Sequence, residues 1–162
     1  MKLMPVDHTP ERRVRLGELM TDYLLEQEIE KGGPSSVEKI RHEASQYLHE
    51  YIGDEEHHFF LFSRGHQYIG FAELTEEEVL LPEEDVPEPA LRVISFYIAP
   101  AWRRQKIGSH FFSLLRTWGH ELHVTLIEIE LPGYLLGANK FLEAQGFEMV
   151  TQGDQNLYRI YI

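Results

Sequence analysis

Pro100-Ala-Trp-Arg-Arg-Gln-Lys-Ile-Gly-Ser109 sets three cations, Arg103, Arg104 and Lys106, and a glycine between a β-like run and an amphipathic helix. Upstream, Leu91-Arg-Val-Ile-Ser-Phe-Tyr-Ile98 is rich in β-branched and aromatic residues, and Pro100 halts it as a proline halts a strand. Downstream, Ile107, Phe111, Leu114, Leu115, Trp118 and Leu122 recur at helical spacing. A strand running into a helix aims free backbone N–H groups outward at the junction, where an anion is welcome. Cations in that place are mildly unfavourable, by ~0.3–1 kcal/mol each when exposed. The chain has only 15 Lys+Arg against 27 Asp+Glu, so gathering three of them there points to a bound anion. The plain alternative is a basic, solvated loop.

Working outward, Lys2 to Val6 reads as a short strand, and Asp7-His-Thr9-Pro10 as the start signal of a helix. Val14, Leu16, Leu19, Met20, Tyr23 and Leu24 give that helix its apolar stripe, and Gly32-Gly33-Pro34 stops it. Ser35 or Ser36 then caps a second helix carrying Val37, Ile40, Ala44, Tyr47, Leu48 and Tyr51, which ends at Gly53-Asp54. From His58 the period changes to two. Phe59 to Phe62 forms a strand, Arg64-Gly65-His66 a turn, and Tyr68 to Leu74 the returning strand. Glu76 to Glu88, with Pro82 and Pro87, reads as a semi-rigid acidic loop or as an electrostatic rim that attracts a cationic molecule. Val124 to Leu131 alternates Glu128 and Glu130 with Ile127, Ile129 and Leu131, one apolar face and one acidic. A helix over Asn139 to Gln145 ends at Gly146, a natural left-handed position, and Leu157 to Ile162 closes the chain as a strand. Periodicity alone supports α+β or α/β.

Two stretches together resemble the GNAT superfamily of acetyl-CoA-dependent N-acetyltransferases. Ile98-Ala99-Pro100 is similar to the end of the family's strand, and Arg103-x-x-Lys106-x-Gly108 to its Arg/Gln-x-x-Gly-x-Gly/Ala loop, with Lys106 in place of the first glycine. Ala138-Asn-Lys-Phe-Leu-Glu-Ala-Gln-Gly-Phe147 resembles its second signature, with Leu142 in place of the tyrosine. The resemblance implies one domain over residues 1–162, with a mixed, mostly antiparallel central sheet flanked by helices in the order β-α-α-β-β-β-α-β-α-β-β. It implies acetyl-CoA as cosubstrate, held at its pyrophosphate by Arg103, Arg104, Gln105, Lys106, Ile107, Gly108 and Ser109, with backbone N–H near Ile98 serving the oxyanion. Lys106 would cost about 1 kcal/mol if its backbone were left-handed. We expect an ordinary φ, which would free its ammonium for a phosphate. Gly108→Asp is expected to abolish CoA binding and leave the fold intact.

Acyl transfer to an amine sets a proton problem. A lysine-like amine is neutral in only about one part in 2,500 at pH 7, a cost near ~4.6 kcal/mol, so some group must accept its proton. The family takes a glutamate or a water chain from the central strands, and Glu73, Glu128 and Glu130 are the strand carboxylates here. We take Glu130 and Glu73 as the candidates, against the plainer reading of each as a solvated strand residue. Leu142 stands where the family has its acid for the departing thiolate, and Tyr134 in the preceding loop is the candidate replacement. A non-catalytic acyl-CoA-binding module remains the rival reading, and a scaffold domain with no ligand a third.

The composition fits a globular chain with 43% hydrophobic residues and 12% aromatics, able to build a core without disulfide or metal. It has no cysteine, which excludes a thiol nucleophile, a disulfide scaffold and a cysteine zinc site. His57-His58 and His120-x-x-His123 lack a third ligand at recognisable spacing, so no metal is expected. A net charge of −12 opposes nucleic acid and anionic membranes and favours a small-molecule or peptide amine that is itself cationic. No signal-peptide region or spanning apolar run is apparent, so the expected location is cytoplasmic. Dimers are common among the proteins this chain resembles, and a homodimer is in keeping with them.

Overall fold

The computed structural model describes residues 1–7, 9–33, 36–81 and 86–162. In chain order these form β1 (Lys2–Pro5), α1 (Pro10–Glu30), α2 (Val37–Tyr51), β2 (His57–Arg64), β3 (Gln67–Val79), β4 (Glu88–Ile98), a 3₁₀ turn (Pro100–Trp102), α3 (Ile107–Glu121), β5 (Leu126–Pro132), α4 (Leu136–Ala144), β6 (Glu148–Thr151) and β7 (Gln155–Tyr161). The order expected from the sequence is the order found. The strands follow one another as β1-β2-β3-β4-β5-β7-β6 in a seven-stranded sheet. β1–β2, β5–β7 and β6–β7 are antiparallel, and β4–β5 is parallel over Ala90–Val93 against Leu126–Ile129. Among the described residues no helix is long and apolar enough to cross a membrane.

By contact the chain separates into two units, Met1–Glu73 with Ser95–Ile107, and Leu74–Ile94 with Gly108–Ile162. In the first, the stripes of α1 and α2 bury Leu16, Leu19, Met20, Ala44 and Leu48 against Phe59, Leu61 and Phe71 of β2 and β3. Val14 and Val37, expected on those stripes, are instead exposed. Pro10 opens α1 as predicted, although Thr9 makes no side-chain cap bond. Of the two candidate caps of α2, Ser36 accepts from the Lys39 N–H at 3.4 Å, and Ser35 lies outside the described residues. Gly70 of β3 lies so close to β4 that an added Cβ would sit 2.2 Å from the Tyr97 carbonyl oxygen.

In the second unit, α3 buries Phe111, Phe112 and Leu115, and Phe112 packs edge-on against Phe147. α4 ends as its sequence requires. Gly146 takes φ +88°, its N–H donates to the Glu143 carbonyl at 2.9 Å, and the Phe147 N–H reaches Leu142 at 3.1 Å, closing the helix with a left-handed C-terminal motif.

Two expectations change here. The acidic loop is shorter than the charge run: Glu76, Glu77 and Glu78 belong to β3 and Glu88 begins β4, while Pro82, Glu83, Glu84 and Asp85 lie outside the described residues. The acidic face of β5 is not uniformly solvated either. Glu128 is buried because Arg159, directly opposite on β7, binds it, and only Glu130 reaches solvent.

Candidate functional site

The loop between β4 and α3 decides how an anion would be met. Arg104 has φ +63° and Lys106 φ +61°, one on each side of Gln105, immediately before the helix opens at Ile107. A left-handed residue in such a turn lets neighbouring N–H groups point to one side, the kind of concavity that receives an anion and that the first turn of a helix extends. Our expectation of an ordinary φ at Lys106 is therefore wrong. The position that resembles the family's first motif glycine is left-handed here even though a lysine occupies it, and the chain bears the strain. Lys106→Gly should accordingly raise stability by up to about 1 kcal/mol, read as a higher midpoint in urea. An unchanged or lower midpoint would remove the strain argument.

The side chains around the loop have distinct tasks. Arg103 donates from Nε to the Ile98 carbonyl at 2.7 Å and from Nη2 to Glu26 of α1 at 2.6 Å, and its guanidinium lies 5.5 Å from the centre of the Tyr97 ring. It braces the loop against α1. Burial first, and then Glu26, push the Tyr97 phenol up to about 12, so it stays protonated and donates to Glu26. Gln105 accepts from Arg64 at 2.6 Å and donates to the Ala101 carbonyl. Arg104 and Lys106 are exposed. Near the expected oxyanion position, the Ala99 N–H is already given to the Ile69 carbonyl at 2.9 Å.

In the second unit Ser109 accepts from Gln145 at 3.2 Å. Gly108 is buried, and a Cβ there would stand 2.7 Å from Cζ of Phe141. Gly108→Asp would thus disturb the packing of α3 on α4, contrary to the expectation that the fold survives it intact. Leu142 is 2% exposed within the core of this unit, and Tyr134, in the connection from β5 to α4, is exposed.

The three strand carboxylates part company. Glu130 is half exposed and paired with Arg92 at 3.3 Å, and the same guanidinium reaches Glu77 at 3.4 Å. Glu128 is neutralised by Arg159. Among the described residues, Glu73 alone of the three is fully buried without a cationic Lys or Arg: Oε1 accepts from the Tyr47 hydroxyl at 2.5 Å and lies 3.1 Å from Nδ1 of His57, while Oε2 is buried with no hydrogen-bond partner among them. Burial, and then the bond to Glu73, raise the Tyr47 phenol well above the usual tyrosine range. Tyr47 also lines a mostly apolar cavity of about 370 Å³, together with Met20, Tyr23, Leu24, Gln27, Glu43 and Ser95.

Sequence reasoning missed Tyr47 and His57. In the sequence Tyr47 reads as part of an apolar helical stripe, and His57 as half of a histidine pair. Among the described residues, no group of three or more His, Asp or Glu is placed to hold a metal ion.

The fold is that of the GNAT acetyltransferases. The family model for the acetyltransferase (GNAT) family matches residues 18–147, and the chain belongs to that family. The family's acetyl donor is acetyl-CoA. Similar solved structures include a tetramutant of the BH1408 protein from Bacillus halodurans, at 14% identity and TM-score 0.77 over 94% of this chain and 97% of that one. The PaiA N-acetyltransferase of Thermoplasma acidophilum, solved in complex with coenzyme A, matches at 15% identity and TM-score 0.71 over all of both chains. The aminoglycoside 6′-N-acetyltransferase of Acinetobacter haemolyticus matches at 14% identity and TM-score 0.68 over 94% of each. No curated protein sequence matches significantly.

Proposed function

We propose that this chain, acting as one catalytic domain, transfers the acetyl group of acetyl-CoA to a primary amine of a cationic small molecule or peptide. The observation that carries the reading is the pair of left-handed residues, Arg104 and Lys106, immediately before α3. In this reading the N–H groups of Arg104 to Ser109 receive the pyrophosphate, Arg103 holds the loop in shape through Glu26 and the Ile98 carbonyl, and Arg104 and Lys106 add positive charge. Glu73 is the base, because it is buried and has an oxygen to spare, whereas Glu130 is bound to Arg92. Tyr134 is dispensable: a thiol of ordinary pKa near ~8.5 leaves as thiolate with modest penalty.

Calorimetric titration with acetyl-CoA at two salt concentrations tests the site. We expect micromolar binding that weakens with salt, and a loss of at least about tenfold in Arg104→Glu/Lys106→Glu, since charge contacts to phosphate are screened. Undiminished affinity in the double variant would sink the assignment. A second reading, an acyl-CoA-binding module without turnover, is favoured by Leu142, which fills the position of the family's acid with a buried aliphatic side chain. Binding without acetyl transfer to any primary amine would select it.

A further inference from the structure

A base enclosed in protein has to be refilled and emptied at every turnover, so its neighbours matter as much as its own position. Glu73 has two neighbours on one oxygen, and they lead in different directions. Tyr47 of α2 belongs to the wall of the apolar cavity and donates its hydroxyl hydrogen to Oε1 at 2.5 Å. His57 of β2 lies 3.1 Å from the same oxygen, and its side chain keeps 17% of its surface in solvent where that of Glu73 keeps none. The imidazole is held in place by stacking on Tyr51, 4.4 Å between ring centres, and by Phe59 beyond it. The charged and titratable groups around this ring are Glu73 on β3, Tyr47 and Tyr51 on α2, and Glu50 and Asp54 near the Tyr51 phenol.

We propose that Tyr47, Glu73 and His57 form a proton conduit that runs from an amine in the cavity to solvent, and that the cavity takes a primary monoamine with an apolar body. This rests on the acetyltransferase reading above. The ammonium R–NH3⁺ gives a proton to the Tyr47 oxygen as the phenol's own proton passes to Glu73. The neutral amine then forms the N–C bond to the thioester carbonyl, the C–S bond breaks, and the thiolate takes a second proton from the nitrogen, leaving the amide R–NH–CO. The proton on Glu73 crosses to Nδ1 of His57 and leaves the ring to water, and the ring regains its starting tautomer by exchange with solvent. Met20, Tyr23 and Leu24 supply the apolar walls, and Glu43 is the acidic group among the described residues that line the cavity. A polycation such as an aminoglycoside finds few polar partners there.

The test is steady-state acetyl transfer from acetyl-CoA to n-butylamine and to phenethylamine, with acetyl-CoA binding measured separately. Tyr47→Phe and His57→Gln should each lower kcat about 10- to 100-fold with the KM for acetyl-CoA unchanged, and imidazole in the buffer should restore much of the rate to His57→Gln alone. Thermal melts identify a variant that has merely lost its fold. A rate loss in His57→Gln that imidazole does not restore, or full activity in both variants, overturns the conduit. Acetyl-CoA binding without transfer to either amine also overturns it. Failure to bind acetyl-CoA at all instead removes the transferase reading on which it rests.

Discussion

Glu73→Gln is expected to lower turnover with n-butylamine by roughly 10²–10⁴-fold, the range that a positioned general base contributes, while acetyl-CoA still binds. The substitution is nearly isosteric, and its amide oxygen still accepts the Tyr47 hydroxyl, so the packing around β3 survives. What disappears is the capacity to take a proton. It also exchanges the unpartnered Oε2 for an amide nitrogen, which removes an acceptor and adds a donor without enlarging the side chain. Glu130→Gln is the internal comparison. Its carboxylate is half exposed and already shared with Arg92, so kcat should change by no more than about threefold. Steady-state kinetics on both variants, with calorimetry for acetyl-CoA, make the check. An unaltered kcat in Glu73→Gln, or a larger loss in Glu130→Gln, would move the base elsewhere.

The difference between these two glutamates marks where the sequence ceases to be informative. Element order, the turn between β4 and α3 and the left-handed end of α4 were legible, because each depends on residues within a few positions of one another: Pro100 after a β-branched run, glycine at 146, apolar residues at helical spacing. Glu73 was legible as a strand carboxylate and no further. It shares the parity of Ile69 and Phe71, which are buried, but Gly70, Ala72 and Leu74 on the other parity are buried as well, so alternation could not say which carboxylate would be enclosed. Its partners lie 16 and 26 residues away on other elements, and no local pattern announces them. Lys106 failed for a related reason. The backbone angle is fixed by how the loop must enter α3, while the side-chain identity suggested only what was chemically convenient.

Arg159→Met should destabilise the fold by about 3–5 kcal/mol, the usual consequence of leaving one member of a buried ion pair behind. Glu128 and Arg159 face each other across β5 and β7, with side chains only 5% and 11% exposed, and Nε of the arginine lies 2.8 Å from Oε1. Removing the cation strands a carboxylate that is itself buried. The Arg15–Glu18 pair makes an equally short contact, but more than half of each side chain is in water, and its loss should pass almost unnoticed. Distance therefore does not decide the effect; desolvation does. The same reasoning makes the double variant Glu128→Met/Arg159→Met recover most of the stability lost by Arg159→Met, because no bare charge remains and the volume is refilled with apolar atoms. Urea denaturation of the two single variants and the double closes the cycle. Equal and additive losses would show that the pair contributes by packing alone. A large loss in Arg159→Met that Glu128→Met repairs would show that the sheet in this unit tolerates its buried carboxylate only because the arginine lies opposite.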